Sequence, residues 1–545
     1  MKNNNATDRG RADLAGWLDA QPDDLFADDL ALRALITHHG LTEREPALHR
    51  AGQVVAGPLD ALVRTNNRHD NLPTLDNWDG IGRYTADIAH HPAWREAGSL
   101  IYGTGIMSAY GEDASPHRFI LSLFYLTAQA GEAGHNCPLA CNAGAIRSLQ
   151  SLGTPAQKSA YLTPLLDPDF DTNFTASQFL TELQGGSDVG ANATVATPAG
   201  DGSWKISGEK WFCSNADADV FLMTARVPDQ GGGTRGLGLF LVPRRLNDTR
   251  PNAFRMRRLK DKLGTRSMAS AEIDFLGAVA EPLGPTKGAF KNVLQLVINT
   301  SRLYNALGCA AHARRAWVIA STYAQHRRAF GQPISQFPDV AETLAWMRAD
   351  ATASLASSLW IAELLEKIDQ KEASEDEQAF FRVAVNLNKM HTAGLAHTTV
   401  NRGIEVLGGN GAIESFSILP RLLRDNVVYE NWEGTHNVLR SQVLRDIQRL
   451  GLHEGFFAIL EERLGRAALQ ADREALDSIL TSDPALATLR FRRLADRLAT
   501  WVMMAAMKPI PALHAAQAMT ARHLHAIPVD DAYGKIIQDL QRIKP

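Results

Sequence analysis

The strongest constraint on the fold is a change of hydrophobic period along the chain. From about residue 28 to residue 167, apolar residues recur three and four positions apart, as Leu32, Leu35 and Ile36 do, which is typical of amphipathic helices. Between residues 174 and 280 the pattern changes to short runs separated by Gly, Asn, Asp and Pro. Helical periodicity returns after Gly288. The order predicts a helical part, a β part and a second helical part, an α+β multidomain fold.

These changes of pattern divide the 545 residues into five predicted segments. They are a polar N-terminal tail at 1–27, a helical domain at 28–173, a β domain at 174–285, a helical bundle at 286–449 and a helical C-terminal extension at 450–545. Strands are predicted at 204–212, 220–227, 237–242 and 271–275, with a hairpin tip at 231–233. Long helices are predicted at 290–328, 339–368 and 376–407, and the acidic run 372–377 is predicted to be a solvated connector.

Charge and cysteine content exclude several classes of protein. The net charge of −4 gives no overall basic field for nucleic acid or for an anionic membrane. Four cysteines without paired CxxC spacing are too few for a disulfide framework or a structural zinc site. The polar start has no signal-peptide pattern, and no apolar run reaches the ~20 residues that a spanning helix needs. We therefore expect a cytoplasmic protein with no membrane segment and no metal.

Two glycine-containing segments are candidates for binding phosphate. The segment 181–189, Thr-Glu-Leu-Gln-Gly-Gly-Ser-Asp-Val, has two glycines for close backbone approach and a hydroxyl donor in Ser187. It is also compatible with a plain β-turn. The segment 408–411, Gly-Gly-Asn-Gly, follows a helical pattern, so it is a ligand-binding loop or a helix C-cap.

Two further segments carry charged groups. Glu433 lies between Trp432 and Gly434, and a carboxylate beside an apolar ring can have a raised pKa and act as a base. It is also compatible with a favourable charge near a helix start. The arginines in 326–331, His-Arg-Arg-Ala-Phe-Gly, either bind a phosphate or are solvent-exposed residues at the end of a helix.

Together, in this order and spacing, the four segments resemble the acyl-CoA dehydrogenase family of flavoproteins. The stretch 257–267, the strand at 210–212 and the added C-terminal segment are most similar to its alkylation-response (AidB-like) branch. The resemblance implies an N-terminal helical domain, a central β-barrel and a C-terminal four-helix bundle with a helical extension. It also implies a homotetramer in which a neighbouring subunit completes the site of the cofactor FAD.

The resemblance assigns FAD contacts to residues spread over both helical and β parts. These are Thr181, Ser187, Trp211, Cys213, Arg327, Phe330, Glu405, Gly408, Gly409 and Thr435. Cys213 stands where many members have Thr, and Glu405 where the family usually has Gln. A thiol is a weaker hydrogen-bond donor than a hydroxyl.

Glu433 matches the catalytic base of the family. In one family type the base stands directly before the arginine matched by Arg302, but here that position is Ser301, which cannot take the role. Ser187, Arg302 and Gly434 match substrate-binding positions. The implied reaction is oxidation of an acyl-CoA thioester to the trans-2-enoyl-CoA, with an electron-transfer flavoprotein as electron acceptor.

Two alternative functions share these motifs. The first is an AidB-like flavoprotein with weak dehydrogenase activity that binds or protects DNA. The near-neutral C-terminal segment counts against it, although Arg490, Arg492, Arg493 and Arg497 form a local basic cluster. The second is a flavin oxidase, but its nitroalkane type has Asp where this chain has Glu433. The acyl chain length stays open.

Overall fold

The structure, a computed structural model, describes residues 6–113, 116–246 and 250–541. They form two compact units. A mixed unit comprises residues 59–116 and 132–304, and a helical unit comprises the chain up to residue 58, residues 117–131 and the chain from residue 305. Residues 1–5 of the predicted N-terminal tail lie outside the described residues. The exact boundaries of the five predicted segments stay predictions.

The strands follow one another in chain order. They are β1 (Thr74–Trp78), β2 (Tyr84–Ala89), β3 (Ala176–Phe179), β4 (Val195–Pro198), β5 (Trp204–Ser214), β6 (Val220–Arg226), β7 (Leu237–Pro243), β8 (Arg245–Leu246), β9 (Arg250–Pro251), β10 (Phe254–Leu259), β11 (Ser270–Pro282), β12 (Arg328–Ala329) and β13 (Gln332–Pro333). The helices are α1 (Ala6–Asp19), α2 (Leu30–His38), α3 (Glu45–Val54), α4 (Asp60–Asn66), α5 (Pro92–Tyr102), α6 (His117–Ala128), α7 (Ala133–Leu152), α8 (Pro155–Gln157), α9 (Thr163–Leu165), α10 (Phe290–Asn292), α11 (Asn299–His326), α12 (Pro338–Gln370), α13 (Glu375–Leu407), α14 (Leu419–Asn431), α15 (His436–Leu450), α16 (His453–Leu464), α17 (Arg466–Leu480), α18 (Pro484–Met507), α19 (His514–Thr520) and α20 (Asp531–Gln541). The predicted order of helical, β and helical parts is confirmed.

The mixed unit is built on a barrel-like sheet. Strand β11 pairs with β5, β5 with β4, β4 with β6 and β6 with β7, and β7 returns to β11. Strands β3 and β10 extend this path at β6 and β11. Buried apolar side chains fill its interior, among them Phe221, Phe240 and Phe275. A closed path of this kind leaves few free strand edges and gives the outer face a fixed shape.

Strand β11 continues to Pro282, well past the predicted end at residue 275. The register between β11 and β5 shifts between Leu276 and Ala278, and Gly277 has a φ of +85°. A β-bulge at this point breaks the two-residue period, so the alternation in the sequence stops before the strand does.

The hairpin β1–β2 lies inside the stretch predicted to be helical. Residues 79–83 form its tip, where the Asp79 carboxylate accepts hydrogen bonds from the main-chain N–H groups of Ile81 and Arg83. The Met256 N–H donates to the Tyr84 hydroxyl at 2.8 Å, which ties the hairpin to the barrel-like sheet. The predicted helical N-terminal domain therefore also contains a two-stranded hairpin, which the periodicity did not predict.

In the helical unit, the long helices begin and end at strong local signals. Helix α12 begins with Pro338 and ends where Lys371 takes a left-handed conformation. Helix α13 begins with a capping box between Ser374 and Glu377 and ends at Gly408. The acidic residues 375–377 thus form the first turn of α13, where their charge favours the helix dipole, instead of a connector.

The C-terminal extension is tied to the bundle through Asp350 of α12. This fully buried carboxylate accepts hydrogen bonds from Arg522 at 2.7 Å and His523 at 2.9 Å, and from Arg402 of α13 at 3.3 Å. Burial raises the pKa of Asp350, but Arg522, His523 and Arg402 outweigh it and hold the pKa at about 2. In the part of the chain that the structure describes, no helix is long and apolar enough to cross a membrane.

Candidate active site

The loop after β3 is anchored by a buried ion pair. Glu182, the second residue of the predicted phosphate-binding segment, is 3% exposed, and Lys210 of β5 is 0% exposed. Their Oε1 and Nζ atoms lie 2.8 Å apart. The Glu182 carboxylate also accepts the main-chain N–H groups of Ala193 and Thr194 at 2.6 and 3.2 Å. Both ends of the loop 180–194 are therefore bound to one carboxylate.

Each member of this pair favours the charged form of the other. Burial raises the pKa of Glu182, but the Lys210 ammonium and the hydrogen bonds outweigh burial and hold the pKa at about 2. Burial lowers the pKa of Lys210, and Glu182 opposes that shift. The carboxylate is therefore charged at neutral pH and serves as an anchor.

Between these anchors, the loop exposes backbone next to open space. Gly185 has a φ of +137°, and a Cβ atom built there would meet nothing within 4 Å. A Cβ atom at Gly186 would lie 2.7 Å from the Thr181 hydroxyl oxygen, so this close approach requires glycine. Thr181 is half-buried and Ser187 is exposed. The donor set and the open space fit a phosphate-containing group such as FAD.

A β-bulge in β5 decides which side chains face outward. Trp211 and Phe212 together face one residue of β11, because the register shifts between the pairs Cys213–Ala271 and Lys210–Ile273. Phe212 is 51% exposed and Trp211 is half-buried. The main-chain N–H of Trp211 donates to the Thr181 carbonyl at 3.0 Å, which joins the bulge to the loop.

Cys213 lies inside the barrel-like sheet. Its side chain is 0% exposed and belongs to the apolar core, and burial raises the pKa of its thiol. The predicted flavin contact of Cys213 is therefore at odds with its placement, since Trp211 and Phe212 occupy the outer face. Ser214, the next residue, is half-buried and its hydroxyl lies 3.1 Å from that of Ser270. The sequence does not indicate that Phe212 and Ser214 face outward, because the bulge depends on the distant strand β11.

A cation covers the Trp211 ring. The Lys260 ammonium lies 3.4 Å from the centre of this ring and 4.8 Å from that of Phe212. Its Nζ atom is 2.8 Å from the Glu272 carboxylate, which also pairs with Arg258. The outer face at the bulge thus combines two aromatic rings with a fixed positive charge.

In the helical unit, Glu433 lies in the turn between α14 and α15. Its φ of +56° is left-handed, and Gly434 follows with a φ of +106°. A left-handed residue with a side chain costs about 1–2 kcal/mol, so the surrounding contacts must hold this turn. The Glu433 side chain is half-buried.

Aromatic stacking packs the end of α14 next to this turn. The Trp432 ring stacks on Tyr429 with centroids 4.7 Å apart, and Tyr429 stacks on His312 at 5.1 Å. Asn305 of α11 donates to the Tyr429 carbonyl at 3.1 Å. Thr435 occupies the N-cap position of α15 and is exposed. Glu433 therefore comes directly after Trp432, which is held in a stack of three aromatic rings.

Residues 301 and 302 belong to the mixed unit. The Ser301 hydroxyl donates to the Gln178 side-chain oxygen at 3.1 Å. Arg302 is buried. Its predicted role in substrate binding stays a prediction.

The segment 326–331 contains β12 and the tip of a small hairpin, which β13 completes. Phe330 and Gly331 at its tip have φ values of +50° and +89°. The Phe330 ring is 97% exposed, and Arg327 before the hairpin is also exposed. A positive φ at a residue with a large side chain is strained, and such strain is concentrated at functional sites. The predicted contact with a neighbouring subunit's FAD stays a prediction.

The segment 408–411 ends α13 beside open space. A Cβ atom built at Gly408 or Gly409 would meet nothing within 4 Å. Glu405 is exposed, and burial lowers the pKa of Arg402, a shift that the charges of Asp350 and Glu405 only partly oppose. The Gly408 N–H donates to the Glu405 carbonyl, so the open space at Gly408 and Gly409, not a free amide at Gly408, is what fits the predicted adenosine diphosphate part of FAD.

The predicted basic cluster lies on α18. Arg490, Arg492 and Arg493 are exposed. Arg497 is bound to Asp472, with hydrogen bonds of 2.6 and 2.9 Å. One of the four cations is thus already neutralised within the protein, and DNA binding stays a prediction.

Three family models match the chain. The model for the acyl-CoA dehydrogenase C-terminal domain matches residues 290–448, and that for the acyl-CoA dehydrogenase middle domain matches residues 177–277. The model for the N-terminal domain of the adaptive response protein AidB matches residues 19–172. The matches together span both helical parts and the barrel-like sheet.

Relatives with similar sequences and structures agree with these matches. The AidB protein of Escherichia coli strain K12 is 32% identical over 80% of this chain and 80% of its own length. Acyl-CoA dehydrogenase family member 11 of Caenorhabditis elegans is 31% identical over 83% of this chain and 75% of its own length. The crystal structure of Caenorhabditis elegans ACDH-11 in complex with C11-CoA has a TM-score of 0.80 at 26% identity, covering 96% of this chain and 92% of that one. The chain belongs to the acyl-CoA dehydrogenase family, in the branch that carries the AidB N-terminal domain.

Proposed function

We propose that this protein is an FAD-dependent acyl-CoA dehydrogenase in which Glu433 removes the α-proton of the acyl thioester. Family membership supports oxidation of acyl-CoA in general. The observation that supports the specific role of Glu433 is its backbone. A left-handed glutamate before a glycine is a strained arrangement, and such strain is concentrated at functional sites.

FAD fits the residues that face open space. Thr181 and Ser187 would contact the flavin and its pyrophosphate, with Trp211 and Phe212 beside the ring system. Arg327 and Phe330 of one subunit would reach the FAD of a neighbour, and Gly408 and Gly409 would lie at its adenosine diphosphate part. When bound, FAD supplies the acceptor for the β-hydride at its N5 atom.

The chain's own groups do the proton chemistry. The Glu433 carboxylate accepts the α-proton, while its main-chain N–H donates to the thioester carbonyl and makes that proton more acidic. A carboxylate with an ordinary pKa of about 4.3 is a weak base. Bound substrate must therefore exclude water from it, because desolvation raises the pKa of a carboxylate. The Trp432 ring next to Glu433 contributes an apolar wall for that purpose.

The substrate is an acyl-CoA thioester, held in part by Ser187, Arg302 and Gly434. The C. elegans relative was crystallised with C11-CoA, which makes medium-length acyl chains the first to test here. We further propose a homotetramer in the cytoplasm that passes its electrons to an electron-transfer flavoprotein.

The test is an anaerobic titration of the FAD-loaded protein with short, medium, long and branched acyl-CoAs. The absorbance of the oxidised flavin is recorded after each addition. We expect one class to bleach the oxidised flavin. Glu433→Gln should retain FAD and slow bleaching by about 10² to 10⁴, the usual contribution of general-base catalysis. Glu414→Gln is the control, because Glu414 is an exposed carboxylate that pairs with Arg424 of α14. Unchanged bleaching in Glu433→Gln would refute the role of Glu433, and a flavin that no acyl-CoA bleaches would refute the activity.

A further inference from the structure

A buried lysine lies next to the turn that carries Glu433. Lys389 of α13 is 0% exposed. Its ammonium donates to the main-chain carbonyl of Glu430 at 3.1 Å and to that of Gly434 at 3.0 Å. One side chain thus bonds the backbone on both sides of Glu433.

These two carbonyls differ in origin. The Glu430 carbonyl belongs to the last turn of α14, where carbonyl groups lack partners within the helix and carry the negative end of its dipole. The Gly434 carbonyl lies just before α15. Because the Lys389 ammonium bonds both carbonyls, it fixes the distance between the end of α14 and the start of α15. Glu433 lies within this span.

The turn needs such a hold because its backbone is strained. Glu433 has a φ of +56°, which an L-residue adopts only where its surroundings impose it. Asn305 holds the Tyr429 carbonyl, one residue before the span that Lys389 closes. On the other side of the span, the Thr435 side chain makes no capping hydrogen bond to α15. The bond from Lys389 to the Gly434 carbonyl therefore holds the side of the turn that a cap would otherwise fix.

We propose that Lys389 is a positioning residue for the catalytic base. It holds the Glu433 carboxylate and main-chain N–H in the geometry that proton removal requires. The inference rests on the proposed function of Glu433. Burial of an ammonium is unfavourable unless it is well bonded, so packing alone gives no reason for a lysine here.

The neighbouring residue offers a matched control. Asn388 makes a buried network with α12, accepting from Ser357 at 2.7 Å and donating to Ser358 at 2.8 Å. It lies next to Lys389 on α13, but these bonds go to another helix and not to the turn. Asn388→Ala therefore removes buried hydrogen bonds from the same part of the bundle without touching the backbone of 430–434.

The experiment compares Lys389→Met, Lys389→Gln and Asn388→Ala as FAD-loaded proteins. For each, kcat, KM, melting temperature and amide hydrogen exchange of residues 431–436 are measured. Misplacement of a reacting group by about 1 Å costs about 10² in rate, so we expect Lys389→Met to lose about 10- to 100-fold in kcat with a much smaller change in KM. Exchange in the turn should become faster. Lys389→Gln, with a shorter donor, should lose less.

Asn388→Ala should lower the melting temperature yet keep kcat within about twofold of the parent. The proposal is overturned if Lys389→Met keeps both the kcat of the parent and its rate of amide exchange in the turn. It is also overturned if Asn388→Ala loses as much melting temperature as Lys389→Met and as much kcat. If Lys389→Met does not fold, the same two readouts on Lys389→Gln decide. Glu433→Gln is assayed in parallel: turnover in that variant counts against the proposed function, while the exchange data still test whether Lys389 holds the turn.

Discussion

Replacing Lys210 by methionine tests whether the ion pair with Glu182 anchors the loop 180–194. Both side chains are buried, with 2.8 Å between Nζ and Oε1. Methionine has a similar length, so the change leaves little cavity and mainly removes the charge. Removing one partner of a buried pair typically costs about 3–5 kcal/mol, because the other charge stays buried without compensation. We expect Lys210→Met to lose about that much free energy of unfolding near pH 8.

The loss should depend on pH, and its sign follows from the pKa of Glu182. In the parent the folded pKa is about 2, below the ordinary value, so this carboxylate stabilises the fold above about pH 4.5 and loses that effect as the pH falls toward 2. Without Lys210, burial is the dominant cause and raises the folded pKa above the ordinary value. The variant then gains stability as the pH falls through that raised pKa. The difference between variant and parent should shrink from pH 8 to pH 5.

The free energy of unfolding is measured at pH 8 and at pH 5 by urea denaturation, monitored by circular dichroism and by flavin fluorescence. The double variant Glu182→Gln/Lys210→Met buries no charge and should recover a large part of the loss. Lys287→Met, at an exposed lysine, is the control and should stay within about 0.5 kcal/mol of the parent. A Lys210→Met protein as stable as the parent at pH 8, or one whose deficit is the same at pH 5, would refute the reasoning. We also expect this variant to purify with less FAD, since Thr181 and Ser187 lie on the loop that it loosens.

Two further predictions concern the helical unit. Phe330→Ser should leave subunit stability within about 0.5 kcal/mol because the ring is exposed, but weaken FAD retention or subunit association. Light scattering and the ratio of flavin to protein check this, and unchanged values for both would contradict the proposed contact with a neighbour. Asp350→Asn should cost about 3–5 kcal/mol, because Arg402 and Arg522 lose their shared carboxylate, and should make the C-terminal extension sensitive to protease. Since burial and the opposing cations leave the pKa of Asp350 at about 2, its contribution in the parent should vanish only as the pH falls from about 4 toward 2. A protease-resistant Asp350→Asn extension, compared with the exposed-site control Asp339→Asn, would contradict this role.

Two of the three predicted long helices match the structure closely because their signals are local, whereas the stretch predicted at 290–328 has a π-helical segment at Val293–Ile298 and its helix ends at His326. The expected helix at 376–407 differs from α13 by one residue at its start, and the expected helix at 339–368 differs from α12 by one residue at its start and two at its end. Proline at the first position, the Ser374 capping box and the terminal Gly408 all act within one turn. Such signals need no information from the rest of the chain.

The burial of Cys213 shows the opposite case. Strict alternation along β5 would put Trp211 and Cys213 on one face and Phe212 on the other. The bulge instead sends both aromatic residues outward and Cys213 into the core. The position of the bulge is set by the register of β5 with β11, a strand far along the chain. No property of residues 210–214 alone specifies that position. The same holds for the hairpin β1–β2, which depends on packing against the barrel-like sheet.

Buried lysines in apolar surroundings are a signal that sequence reading can use. Among the described residues, Lys210 and Lys389 are the lysines that the fold buries completely. Each lies inside a regular element and donates to carbonyl or carboxylate oxygens of a separate loop or turn, Lys210 at 180–182 and Lys389 at 430–434. An ammonium can be buried only where oxygens surround it, so each lysine must fix the backbone that supplies them. Both of these backbones carry residues proposed for the chemistry, Thr181 and Glu433. A lysine on the core-facing side of a strand or helix therefore indicates that its ammonium is bound by oxygens from elsewhere in the chain, although the sequence alone does not say from where.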